Sequence, residues 1–197
     1  MEKRVPSSVF YDFHEFSDKA SAHSYMVPSA EVFSENMRSC DVRKTDIVVV
    51  YDRVGMLSSP RAYWMLKLFG LPNVYILNGT FTKWEAEKRP VETGDTEGAW
   101  RRTARKTVAA KDDFTFHIDH DKIRNHDDVH QIAMSNLKNQ NKLPIVDSRF
   151  VQNFKAGRIP SSLNIPFTQV LNEDKTFKTP EELVKVFKEV GLPDPAN

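Results

Sequence analysis

Two short apolar runs restrict this chain more than anything else in it. Ile47, Val48, Val49, Val50 and Tyr51 form the first, and Val74, Tyr75, Ile76 and Leu77 the second. Runs without polar alternation suit strands buried on both faces, as in parallel sheets. Between them Tyr63, Trp64, Leu66, Leu68 and Phe69 mark a helix. Ser58, Ser59 and Pro60 open it, with Ser as N-cap and Pro in the first turn, and Gly70 fits its end. Asn78 and Gly79 lead to a short helix over 81–87. Strand, helix, strand, helix in this order predicts a doubly wound α/β fold.

Residues 89–111 change character. Pro90, Gly94, Gly98 and the basic run of Arg101, Arg102, Arg105 and Lys106 predict a linker. Beyond it, 129–137 has a helical pattern capped by Asp127 or Asp128. Residues 143–147 read as another buried strand, and 181–190 as an amphipathic helix after Thr179 and Pro180, closed by Gly191.

The chain repeats itself. Arg4, Val5, Pro6, Ser7 and Ser8 return as Arg158, Ile159, Pro160, Ser161 and Ser162, an offset of 154 residues. An apolar stretch and a proline-led helix follow each copy, over 28–37 and 180–190. Matching Glu31 to Glu182 makes the helix offset 151, so a small gap separates the two signals. Recurrence in order argues for duplication. The copies differ at their outer ends. The second has the 143–147 strand ahead of its pentapeptide, and the first has no room for one before Arg4. The first continues into the 47–51 strand, and the second would reach that strand only past Asn197. These complementary gaps suggest that 143–149 fills the first half's sheet.

Composition excludes several roles. With 28 Lys+Arg and 27 Asp+Glu the formal charge is +1, so no global field draws the chain to nucleic acid. A membrane span needs about 20 apolar residues, and no such run exists. The N-terminal residues carry neither an apolar core nor an Arg/Ser-rich stretch, so no targeting signal is read there. Cys40 is the single cysteine, which rules out an internal disulfide and leaves one candidate thiol.

With these elements in place, the motifs resemble tandem-domain rhodanese and 3-mercaptopyruvate sulfurtransferases in a truncated or degenerate form. Tyr51, Asp52 and Gly55 with the 58–64 segment look like the family's N-domain loop and helix. Leu77, Asn78, Gly79, Phe81 and Trp84 resemble its "L-D-G-G-F-x-x-W" segment. Val146, Asp147, Ser148 and Arg149 resemble the "D-A/S-R" strand, and Arg158 to Phe167 resembles "H-I-P-G-A-x-N-I-P-F". The resemblance implies two rhodanese-like units, each a partial parallel sheet flanked by helices. It places an N-domain lacking its first strand at 1–90, a linker at 91–111 and a partial C-domain at 112–197.

Family chemistry rests on a cysteine thiolate after a strand, held by loop N–H groups and a helix N-terminus. It accepts a sulfane sulfur from an anionic donor held by arginines. Here the matching first-half position is Asp52, as the resemblance implies for the family's inactive N-domain, with Gly55 and Arg61 completing a vestigial loop. The second-half loop would follow Asn197. The family-motif residues Asp147, Arg149 and Arg158 are present. Positions at which the family holds substrate carry His14, Tyr25 and Asn153 instead, so the donor site reads as degenerate and no catalytic residue is assigned.

Competing readings favour structure over chemistry. Cys40 closes a predicted helix beside Asp41, which disfavours a thiolate. His117, His120, His126 and His130 alternate with Asp119, Asp121, Asp127 and Asp128, which suits a solvated surface better than a metal site. Asp52 and Arg61 are expected to fix their loop by a hydrogen bond or ion pair. No cofactor or metal is expected. Three functions stand open. The first is a non-catalytic accessory subunit whose protein partners cover its incomplete sheets. The second is an incomplete sequence of an active sulfurtransferase, and the third a metal- or anion-binding module. Family analogy gives a mitochondrial or cytoplasmic location.

Overall fold

Residues 2–94, 111–139 and 143–192 are described by the computed structural model. They fall into two compact units, Met1–Lys122 and Ile123–Asn197. Unit 1 contains β1 (Glu2–Arg4), α1 (Ala30–Ser39), β2 (Val48–Val50), α2 (Ser59–Leu68), β3 (Val74–Ile76), α3 (Thr80–Ala86) and β4 (Glu92–Gly94). The apolar runs supply β2 and β3, which pair in parallel with Val48 opposite Val74 and Val50 opposite Ile76. One face of this sheet is not covered as the sequence predicts, since Val49 and Tyr75 are exposed and Ile47 at its edge is 74% exposed. Gly70 ends α2 at φ 82°, and Leu71 N–H reaches back to the Leu66 carbonyl at 3.0 Å, the left-handed cap that glycine favours.

The core of unit 1 lies between α1 and α2. On α1, Phe33 and Met37 stand one turn apart and are 0% and 1% exposed. The Phe33 ring stacks on Phe69 at 3.9 Å and meets Phe116 edge-on at 5.2 Å. Burying one such side chain contributes about 1.5–3 kcal/mol.

Phe116 and the buried Phe114 belong to the 112–122 stretch, which the sequence grouped with the second domain. That stretch packs in unit 1, because its phenylalanines complete this core and Asp119 N–H bonds the Leu68 carbonyl at 2.8 Å. Part of the expected linker is structured too, since β4 pairs antiparallel with β1, Arg4 opposite Glu92. A short strand therefore runs into the first pentapeptide and ends on its Arg4, outside the parallel sheet. The basic run at 101–106 lies outside the described residues.

Unit 2 contains α4 (His126–Leu137), β5 (Val146–Asp147), α5 (Val151–Ala156), β6 (Leu163–Asn164) and α6 (Pro180–Glu189). Asn125, not Asp127 or Asp128, caps α4, and Asp128 closes a capping box on it. Strand β5 pairs in parallel with β6, Val146 opposite Leu163. Its sheet partner is thus within its own unit, and the composite sheet with β2 suggested by the complementary gaps does not form. Ala133, Ile165 and Leu171 are the buried hydrophobics among the described residues of unit 2, while Leu143 and Val146 are exposed. Strand β5 is therefore not covered on both faces. Among the described residues no helix is long and apolar enough to cross a membrane.

Candidate functional site

The turn from β2 into α2 closes around one side chain. Asp52 follows the strand and is 8% exposed. One carboxylate oxygen accepts N–H bonds from Val54 at 3.1 Å, Gly55 at 2.9 Å and Met56 at 3.1 Å. The other accepts from Ser58 N–H at 3.0 Å, Ser59 N–H at 2.9 Å and Ser59 Oγ at 2.9 Å. This geometry needs the loop to turn back on itself, which Gly55 permits at φ 88°. Ser58 sits at the N-cap of α2 without a side-chain cap bond. The carboxylate caps the helix instead, so the expected Ser cap is replaced by an acid six residues earlier in the chain.

Burial pushes the Asp52 carboxyl up. Donation from Ser59 N–H and hydroxyl, Ser58 N–H and Met56 N–H outweighs it and holds the group below the usual carboxylate range. Chemically, the loop is an anion cradle whose anion is its own side chain.

Arg61, expected with Asp52 to fix this loop by a hydrogen bond or ion pair, makes its side-chain hydrogen bond elsewhere. Its Nη2 donates to the Tyr25 carbonyl, and its guanidinium lies 5.9 Å from the Trp64 ring centroid. Tyr25 is itself half-exposed at φ 63°. His14 is exposed, with Lys19 Nζ at 3.0 Å from its Nδ1. The fold therefore joins Tyr25 to Arg61 but leaves His14 on a solvated turn. Cys40 is 3% exposed, and burial raises its thiol above the ordinary range against a weak Ser39 contact. Such a thiol packs as a small apolar group.

Sequence reasoning missed three residues here. Ser59 adds the cradle's hydroxyl. The Tyr51 hydroxyl receives Val5 N–H at 3.1 Å and meets Ser8 Oγ at 2.8 Å, tying the first pentapeptide to β2. Tyr11 lies close enough to Arg61 and Cys40 to feel both, and burial raises its phenol strongly. Ser59 had a signal as the second hydroxyl of a helix start and Tyr51 as part of the family-like loop; Tyr11 had none.

In unit 2, Asp147 and Arg149 form a fork. Arg149 Nε and Nη2 reach the carboxylate at 3.0 and 2.6 Å, and Nη2 also donates to the Gly157 carbonyl at 2.7 Å. The Arg149 hydrogen bonds lower the Asp147 carboxyl. Asn164 Nδ2 fastens the same turn through the Asp147 and Arg149 carbonyls, both at 2.9 Å. Arg158 stacks over Phe154 at 4.8 Å, and Asn153 is exposed on α5. The arginines thus hold their own backbone and rings. Among the described residues no group of three His, Cys, Asp or Glu side chains converges on a metal position.

A parallel sheet feeding a helix through a loop of convergent N–H groups defines the class, a rhodanese-type α/β unit. Residues 2–87 match the rhodanese-like domain family. The chain is 30% identical to 3-mercaptopyruvate sulfurtransferase of Rattus norvegicus over 95% of its own length and 62% of the relative's. Among solved structures it resembles the 3-mercaptopyruvate sulfurtransferase SseA from Escherichia coli, with TM-score 0.81, 29% identity and coverage of 97% and 69% of the two chains. It shares the fold of the sulfur transferase subunit of yeast mitochondrial complex I, with TM-score 0.75, 24% identity and coverage of 96% and 67%. Residues 2–87 thus form a rhodanese-like domain and the chain is similar to 3-mercaptopyruvate sulfurtransferases, of whose rat member it spans less than two thirds.

Proposed function

We propose that this 197-residue chain is a non-catalytic rhodanese-like protein that works as an accessory subunit of a larger assembly, in the mitochondrion or cytoplasm that the family resemblance suggests. The observation that carries the reading is the occupied cradle. Sulfur transfer needs a thiolate where the loop N–H groups converge, and Asp52 takes five such N–H bonds and the Ser59 hydroxyl. A carboxylate cannot accept a sulfane sulfur, and it repels the anionic donors that carry one, so the loop of unit 1 cannot serve as a sulfur-transfer site. Cys40, buried and with a raised thiol, offers no substitute. The test is sulfur transfer from thiosulfate and from 3-mercaptopyruvate to cyanide by the purified chain. Turnover no higher than that of Cys40→Ser supports the reading, and turnover abolished by Cys40→Ser removes it.

A second reading is favoured by one observation. The chain aligns along 95% of its length with a sulfurtransferase of which it covers 62%. In that reading the transferring cysteine lies outside these 197 residues, and units 1 and 2 form its scaffold. A longer product from the same source that transfers sulfur would establish it.

A further inference from the structure

The histidine-rich stretch 117–130 is solvated, as its sequence suggests, but two of its histidines share one helix. His126 and His130 both lie on α4, about one turn apart. Side chains at that spacing stand on one face, with Cβ atoms about 5–6 Å apart. Both residues are exposed, the His126 side chain to 95%, so each imidazole is free to turn towards the other. Among the described residues no hydrogen bond holds either ring in place.

The backbone beneath them is already fixed. The capping box of Asn125 and Asp128 ties down the first turn of α4, and Ala133, 2% exposed, seats the helix in its unit. Bringing the two rings together therefore costs side-chain rotation and no rearrangement of the chain. A helix N-terminus opposes a cation, and Asp127 and Asp128 in the same turn offset it. Asp127 has a second use. Its Oδ1 lies 3.6 Å from His126 Nδ1, and a small rotation makes that contact a hydrogen bond. Such a bond keeps the proton on Nδ1 and leaves Nε2 for an ion.

We infer that His126 and His130 form a two-imidazole chelate on the surface of α4 for a late first-row divalent cation, with water in the remaining coordination positions. Imidazole suits copper, nickel and zinc, whereas magnesium and calcium take oxygen ligands. A site that imposes no geometry follows the intrinsic order of these ions, with Cu²⁺ held more tightly than Ni²⁺ or Zn²⁺. Two protein ligands fall short of the four that structural zinc sites use, so the ion exchanges with solvent. The site is independent of the sulfur-transfer question, and the two readings fail separately.

Calorimetric titration of the untagged 197-residue chain with Cu²⁺, Ni²⁺ and Zn²⁺ tests it. His126→Asn and His130→Asn are each expected to weaken binding at least about tenfold, because one imidazole raises the local concentration of the ion at the other. The double substitution should lose little more than either single one, since both act on one chelate. Exchanging neighbours, His130→Gln with Gln131→His, keeps two imidazoles but turns the second about 100° around the helix, and should cost as much as His130→Asn. His117→Asn should leave the affinity unchanged. With Ni²⁺ at ten times its Kd, hydrogen exchange in the first turns of α4 should slow about tenfold. Without metal the variants should exchange there like wild type, which shows that α4 still folds. Absent binding, an affinity that survives His130→Asn or the neighbour exchange, or protection that falls outside α4 would each overturn the site.

Discussion

Asp52→Ala removes the anion around which the β2–α2 turn is built. The loop keeps its donors and loses its acceptor. Three of the stranded N–H groups, on Gly55, Met56 and Ser59, belong to buried bonds. A buried donor left without a partner costs about 1–3 kcal/mol. The outer N–H groups of Val54 and Ser58 recover water, so the expected loss is about 3–5 kcal/mol. Asp52→Asn keeps the shape but offers one acceptor oxygen and turns an NH2 towards donors, so it is expected to lose nearly as much.

The pH dependence follows from the direction of the Asp52 shift. Its carboxyl is lowered by folding, so its stabilisation is present above the unfolded value of about 3.9. It is lost as pH falls through the folded value. The gap between wild type and Asp52→Asn should be full at pH 7 and shrink as pH drops below about 4. Urea unfolding followed by tryptophan fluorescence reports it, since Trp64 and Trp84 both lie in unit 1. A loss for Asp52→Ala below about 1 kcal/mol, or a gap for Asp52→Asn that does not move with pH, would refute the reasoning.

Phe33→Ala should cost about 3–5 kcal/mol by opening a cavity beneath Phe69 and Phe116, measurable by the same unfolding. Leu183→Ala on α6 should cost less, because that side chain is not fully buried. Thr179→Ala removes an N-cap and its capping box and should cost about 1 kcal/mol, visible as faster amide exchange in the first turn of α6. Cys40 should resist alkylation in the native protein and react at the rate of a free thiol in denaturant, since burial and not local charge governs it.

The fold was legible where the chain is locally consistent. The runs at 47–51 and 74–77 became β2 and β3, and Gly70 and Gly79 punctuate the helices as their conformational freedom suggests. Legibility failed where a long-range partner decides. Residues 112–122 carry no periodic signal, yet two of their phenylalanines finish the core of unit 1. The polar Glu2–Arg4 segment is a strand because Glu92–Gly94 lies beside it. At the site, the sequence identified Asp52 as the residue standing where the family's cysteine loop would hold its thiol, and expected it to fix the loop together with Arg61. Six local donors outcompete one flexible guanidinium, which turns to the Tyr25 carbonyl. No spacing rule reveals that choice, since it depends on the path of the loop.

Incubating the purified chain with thiosulfate and weighing it intact tests the central claim most directly. If Asp52 fills the cradle and Cys40 is buried, the mass stays at 22.7 kDa and neither sulfite nor thiocyanate accumulates when cyanide is added. A gain of one sulfur atom that cyanide removes, and that Cys40→Ser prevents, would show that this chain transfers sulfur itself.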